Sequence, residues 1–259
     1  MFSSPSWLPL PVAVAFMVGP FPVIVGTAAS LVVRVARPQL DLRDVFRRTL
    51  SWWMVAAALL LLVIVPPAVA VALFAVLIGR ALYECVTVAR GIGSPLMVTA
   101  TTLIAVGLGL LGLLLYRGDN DSVVLFVWIF CLTQVNDVAQ YLTGKALGRH
   151  RVAPRISPRK TVEGLIGGVV ITAALSLGLT PALLPVGRAT ALGFGLVAGL
   201  GGFLGDLFFS LVKRRSGVKD FANLLPGQGG ILDRLDSVTF TAPVLLCYLA
   251  AFAPPVLRT

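Results

Sequence analysis

Apolar runs long enough to cross a bilayer fill most of this chain, and its charge is gathered into a few short stretches between them. A helix needs about 20 apolar residues to span the hydrocarbon, and every backbone polar group there must be paired internally. Only helices and closed barrels meet that demand. Barrel strands alternate apolar and polar residues, and these runs do not. The chain therefore reads as an all-α polytopic integral membrane protein. Only 12% of its residues are charged, and its mean hydropathy is +0.95; soluble domains carry about 25% charged residues.

About eight transmembrane segments are predicted. The first runs from about Trp7 to Val33 and should be broken or kinked by Pro9, Pro11, Pro20 and Pro22. It lacks a basic start and is too long for the apolar core of a signal peptide, so no cleavage is expected. Residues 34–50 carry five arginines and two aspartates at a spacing that suits an amphipathic surface helix or a solvated connector. Trp52 and Trp53 read as interfacial anchors. The run from there to Val88 is too long for one span, and Pro66-Pro67 divides it at a predicted tight hairpin. The remaining segments are Pro95 to Tyr116, Val123 to Leu147, Thr161 to Leu184, Ala189 to Val212 and Ser237 to Val256.

Charge sets the expected orientation. Residues 34–50, 145–160 and 213–234 hold sixteen of the 21 Lys and Arg residues, and all three stretches should be cytoplasmic. Arg117, Arg188 and Arg258 fall on the other side. Eight spans satisfy this bias and put both termini on the non-cytoplasmic side. The net charge of +10 then needs no nucleic-acid partner; positive-inside bias and an anionic lipid surface account for it. Cys85, Cys131 and Cys247 each lie in an apolar segment and read as small buried hydrophobes, not as a disulfide or zinc framework.

Two charged stretches stand out as chemistry. In the basic loop, Asn136 and Asp137 close segment five, and Ser157, Arg159, Lys160 and Thr161 precede segment six. Ser157 followed by Pro158 predicts a helix cap with Pro at the first helical position, and such a helix start favours anions. Glu163 fits the first turn of the same helix. His150, the only histidine, reads as a solvated loop residue. Arg80 and Glu84, four apart in segment three, can pair on one helix face or, as ionisable residues that usually face the protein interior within a membrane helix, serve a site there.

The second stretch, Asp206 to Ser237, holds four of the 11 acidic residues and five basic ones between two apolar segments. Asp206 sits inside an apolar helix, where an unpaired carboxylate is costly. Asp233 and Asp236 are three apart and share a helix face. Carboxylate oxygens suit Mg2+, which commonly bridges substrate phosphates. Lys213, Arg214, Arg215 and Lys219 supply charge for phosphate oxygens. Pro226-Gly227 and Gly229-Gly230 form a loop whose backbone can approach a ligand closely. Together these predict metal-assisted phosphoryl or nucleotidyl transfer.

At these residues the chain resembles the phosphatidate cytidylyltransferases, or CDP-diacylglycerol synthases. The family's C-terminal signature aligns with Ser210, Lys213-Arg214, Lys219-Asp220, Pro226, Gln228-Gly229-Gly230, Asp233-Arg234 and Asp236. The stretches NDVAQYLTGK and ISPRKTVEG, within residues 136–164, are similar to the family too. The resemblance divides the chain into an N-terminal membrane region, 1–92, and a C-terminal catalytic membrane domain, 93–259. It implies that CTP and phosphatidate give CDP-diacylglycerol and pyrophosphate, with Mg2+ alone or with a second cation. Carried over by position, it implies metal ligands Asp206, Asp233, Asp236 and Asp220. It implies catalytic roles for Asp206, Asp233, Lys213 and Lys219. Substrate binding falls to Ser157, Lys160, Thr161, Arg214, Gln228, Gly229, Gly230, Arg234 and Asp137. A bacterial inner membrane, an active site facing the cytoplasm, lipids as neighbours and a homodimer are compatible with it.

The family's signature His is Gln228 here. Gln donates and accepts hydrogen bonds but is neither a cation nor a general base, which leaves open a different phosphorylated lipid or polyprenyl acceptor. A transporter or lipid-binding membrane protein is the competing class; the charged motif's position at one membrane face argues against it.

Overall fold

The computed structural model describes residue 27 and residues 57–90, 94–224 and 229–258. Nearly all of the predicted first segment, the 34–50 stretch, Trp52, Trp53, Pro226, Gly227 and Gln228 lie outside these residues. Among the described residues, six helices are long and apolar enough to cross a membrane. They are α1 (Pro67–Ala89), α2 (Ser94–Arg117), α3 (Asn120–Leu147), α4 (Val162–Leu183), α5 (Arg188–Arg215) and α6 (Leu232–Phe252); a short α7 (Pro255–Arg258) follows. The six coincide with predicted segments three to eight.

Local chemistry places their ends. A helical stretch over residues 57–64 stops before Pro66, which is extended with ψ 144°. Pro67 then takes the first helical position of α1, where a missing N–H is no loss. The Asp119 carboxylate caps α3 by accepting from the Ser122 N–H at 2.8 Å. Burial raises the Asp119 pKa, but Ser122 and the neighbouring Arg117 outweigh it and hold the carboxyl below its ordinary value.

Successive helices run between two ends of the bundle. At one end Arg117 donates to the Leu257 carbonyl of α7 at 2.7 Å. At the other, Arg214 at the end of α5 donates to the Ile156 carbonyl at 3.2 Å, so two of the three predicted cytoplasmic stretches share one end. The third, 34–50, is outside the described residues.

Helix α3 is buried along most of its length, whereas α1 and α4 are mainly exposed. Its Trp128, Phe126, Ile129 and Leu132 form the centre of the core. Outward-facing Val76, Val98, Leu113, Val170 and Leu200 give the bundle the apolar surface that lipid requires. Helix α5 packs against α4 and α6 through glycines. A Cβ at Gly195 would meet the Ala173 Cα at 2.6 Å, and one at Gly205 would meet the Asp236 carbonyl at 2.9 Å. Small residues permit this approach, which membrane helices use in place of a hydrophobic driving force.

The bundle is all-helical as expected, and the basic loop adds a short antiparallel hairpin, β1 (Arg151–Ala153) with β2 (Ser157–Thr161). Two expectations need correction. Ser157 is in a strand and caps no helix. The cap of α4 is Thr161, whose hydroxyl accepts from the Gly164 N–H at 3.1 Å. Cys85 and Cys131 are buried as expected, but Cys247 is exposed on α6.

Candidate active site

The hairpin and the basic end of the bundle enclose an open cavity of about 710 Å³. The C-terminal half of α3, strand β2, the start of α4 and the middle of α5 form its walls. Five cations line it (Lys145, Arg149, Arg151, Arg159 and Lys160) against two carboxylates, Asp137 and Asp206. A cleft with that excess of positive charge concentrates anions. Ser157 and Thr161 are also on its wall.

Asp206, costly if alone in an apolar helix, is not alone. Lys160 Nζ lies 2.8 Å from its Oδ2, and the Ser210 hydroxyl donates to Oδ1 at 3.2 Å. Lys160 also donates to the Phe203 carbonyl and stands 4.6 Å from the Phe203 ring centroid. Strand β2 is thereby pinned across α5.

A second ion pair lies next to the first. Lys213 Nζ is 2.8 Å from Asp233 Oδ1 and 3.6 Å from Asp236 Oδ2. The i, i+3 spacing of the two aspartates puts both on one ammonium, as their shared helix face predicted. Asp233 Oδ2 accepts from the N–H groups of Phe221 and Gly230, each at 2.8 Å. Asp236 accepts from the Ser237 N–H at 2.8 Å. Asp206 interacts electrostatically with Asp137, Asp236 and Lys213, so both pairs belong to one field. The four aspartates 137, 206, 233 and 236 with Lys160 and Lys213 carry a net −2 when all are ionised. Carboxylates in that excess have the charge to attract a cation when ionised.

The sequence pattern of the "Cytidylyltransferase family" matches residues 92–252, more than half of the chain. The chain belongs to the cytidylyltransferase family. It is 49% identical over 130 residues to the uncharacterized protein YnbB of Escherichia coli (strain K12), covering 50% of this chain and 44% of that one. It is 40% identical over 160 residues to the phosphatidate cytidylyltransferase of Brucella suis biovar 1, covering 60% and 58% of the two chains. The phosphatidate cytidylyltransferase of Staphylococcus aureus (strain COL) is 38% identical over 141 residues, 54% of each chain. The chain thus spans about half the length of the curated relatives it matches.

In this cytidylyltransferase-family chain, the structure gathers Asp137, Ser157, Lys160, Thr161 and Asp206 around the cavity, with Lys213, Asp233 and Asp236 beside them. Arg214 is exposed and ties α5 to the hairpin turn through the Ile156 carbonyl and to the Val218 carbonyl. Lys219 and Asp220 are exposed and Arg234 is half-buried. Gln228 lies outside the described residues. The glycines expected to admit a ligand are approached by carboxylates instead. Gly229 has φ +85°, a conformation glycine adopts without penalty, and a Cβ on it would meet Asp233 Oδ2 at 2.5 Å. A Cβ on Gly230 would collide with Glu84.

The donor set fits Mg2+ in chemistry, being hard carboxylate oxygens in a negatively charged cluster. In arrangement, no three acidic, His or Cys side chains converge among the described residues, because the two lysines stand between the aspartates. Asp233 already accepts three hydrogen bonds, from Lys213 and the Phe221 and Gly230 N–H groups, which leaves Asp206, Asp236 and Asp137 as the less occupied oxygens.

Sequence reasoning missed several partners. His150, which the sequence marks as a solvated loop residue, has Nδ1 2.6 Å from Glu163 Oε1. Glu163 also accepts from the Arg149 and His150 N–H groups, closing the base of the hairpin. The Gln140 amide nitrogen is buried on the cavity wall with no hydrogen-bond partner among the described residues. A single amide between Asp137 and Lys145 leaves no periodic signal.

Proposed function

We propose that this chain is a membrane nucleotidyltransferase that makes CDP-diacylglycerol and pyrophosphate from CTP and phosphatidate, with Mg2+ as cofactor. The observation that carries the proposal is that the cation-lined cavity opens onto Asp206 and Asp137, within a chain of the cytidylyltransferase family. The cavity faces the cytoplasm of a bacterial inner membrane in this reading, and the lipid reaches it sideways with its tails in the bilayer.

A phosphatidate oxygen attacks the α-phosphorus of CTP, the bond from that phosphorus to the bridging oxygen breaks, and pyrophosphate departs with the bonding pair. The attacking phosphate is already ionised, so no side-chain nucleophile is required. Lys160, Arg151 and Arg159 hold phosphate oxygens from the hairpin side. Lys213 and Arg234 do so from the α5–α6 side. Asp206, Asp236 and Asp137 would hold Mg2+, which supplies neutralisation of the charge that spreads over the phosphates. Asp233 holds the turn before α6 and the Lys213 ammonium. When phosphates enter, each lysine exchanges a carboxylate for a phosphate oxygen.

The test is pyrophosphate release by purified protein with CTP, Mg2+ and phosphatidate, omitting each in turn and chelating the metal. Release that requires all three and disappears in Asp206→Asn is the expected result. A second reading keeps the chemistry and changes the lipid. It is favoured by Gln228 at the position of the family's signature His. CTP binding without release on phosphatidate would move the assignment to another phosphorylated lipid.

A further inference from the structure

Glu84 lies in α1, eight residues before the span that matches the family, and the residue is 2% exposed. A buried carboxylate needs partners, and Glu84 has three. Arg80 Nε lies 3.1 Å from Oε1, the pair that the i, i+4 spacing predicted. The other two come from far along the chain. The Ile231 N–H donates to Oε1 at 3.2 Å, and the Leu232 N–H donates to Oε2 at 3.0 Å.

Those two amides are the start of α6. The residue in the cap position, Ile231, has no side chain that could accept a hydrogen bond, and α6 shows no local side-chain cap. The first N–H groups of a helix need acceptors, and a carboxylate there also meets the positive end of the helix dipole. Glu84 supplies both from another helix. On the other side of the same turn, Asp233 takes the Gly230 N–H. The Gly229-Gly230 turn is therefore clamped between two carboxylates. Gly230 must be glycine because a Cβ would run into Glu84.

We propose that Glu84 is a positioning residue for the reaction: by capping α6 from α1, it sets where Asp233, Arg234 and Asp236 stand relative to Lys213 and Asp206. The proposal rests on the cytidylyltransferase reading above. It extends the working site beyond the family's matched residues, into a helix whose Arg80 holds Glu84 in place.

The experiment uses full-length protein in detergent or nanodiscs. Glu84→Gln keeps the size and one acceptor oxygen but turns an amide nitrogen towards a backbone N–H. Pyrophosphate release gives kcat and KM for CTP. Hydrogen exchange reports the amides of residues 231 and 232 against those of α3. A misplacement of about 1 Å in a preorganised site costs up to roughly 100-fold. The expected result is a kcat lower by about 10- to 100-fold with KM for CTP changed less than about threefold, and with faster exchange at 231–232 alone. An unchanged kcat per folded molecule, or unchanged exchange at those amides, overturns the proposal. If Glu84→Gln does not fold, Ile231→Pro decides. Its φ of −63° suits proline, and the change replaces the donor by a ring carbon against Glu84 Oε1, breaking that contact from the α6 side without substituting Glu84. A fall in kcat with KM retained supports the proposal, and an unchanged kcat overturns it. If the unaltered protein releases no pyrophosphate from CTP and phosphatidate, the functional reading falls by itself, and hydrogen exchange still decides whether Glu84 holds the α6 turn.

Discussion

Replacing Asp233 separates its structural work from its charge. The side chain is 4% exposed, and both oxygens are committed: one to Lys213, the other to the N–H groups of Phe221 and Gly230. Asp233→Ala strands two backbone donors and most of an ammonium. A buried donor left unpaired costs about 1–3 kcal/mol, and breaking one side of a buried ion pair costs about 3–5 kcal/mol. These overlap, and Asp236 at 3.6 Å keeps part of the ammonium's interaction. A loss of about 4–6 kcal/mol is expected. At about 2–4 °C per kcal/mol for a chain of this size, Tm falls by about 8–24 °C. Asp233→Asn differs. Its amide oxygen can still accept both N–H groups, so the loss is confined to the charged contact, about 1.5–3 kcal/mol. Thermal unfolding of the detergent-solubilised protein, followed by circular dichroism, separates the two. If the Ala and Asn variants melt within about 2 °C of each other, Asp233 does not tie down the turn as argued here. Both variants should lose pyrophosphate release, since the ion pair orders Lys213.

Other expected outcomes are more local. Lys160→Ala frees Asp206 and removes a phosphate-holding cation, so KM for CTP should rise about tenfold, the effect of losing about 1.4 kcal/mol of binding, measured by initial rates. Thr161→Ala deletes the α4 cap and should cost about 1 kcal/mol, whereas Ser157→Ala should leave stability within about 0.5 kcal/mol; paired melting curves test this. Gly205→Ala drives a methyl into the Asp236 and Ser237 carbonyls and should lower both folded yield and Tm, read by size-exclusion chromatography and the same melts.

Much of this architecture was legible because lipid imposes length and apolarity, and those are plain in a sequence. The six described spans and the grouping of basic residues at one end follow from that constraint. So did the need for a partner at Asp206, since a carboxylate in an apolar helix demands one. The identity of that partner was not legible: Lys160 lies 46 residues earlier, on a strand whose Ser-Pro-Arg-Lys-Thr sequence carries no alternation. The misplaced cap at Ser157 has the same source. Ser157 and Thr161 both offer a hydroxyl ahead of an apolar run, and strand pairing with Arg151, invisible locally, gives the role to Thr161. The Arg80–Glu84 pair follows from the i, i+4 spacing, but the other partners of Glu84 are backbone N–H groups 147 and 148 residues away, which have no side-chain signature.

The order of charges along the chain bears on how such a bundle is made. Lys160 is synthesised before Asp206, and Lys213 before Asp233 and Asp236, so each of these aspartates emerges from the ribosome after the lysine that will neutralise it. No aspartate of the cluster that is paired to a lysine has to wait in the bilayer for a cation still to be translated. Glu84 is the exception: the α6 amides that complete its shell come last. Arg80, one helical turn away, is present from the start and covers that interval. Insertion of α6 is then the step at which an early carboxylate and a late helix end meet, and the bundle closes around them.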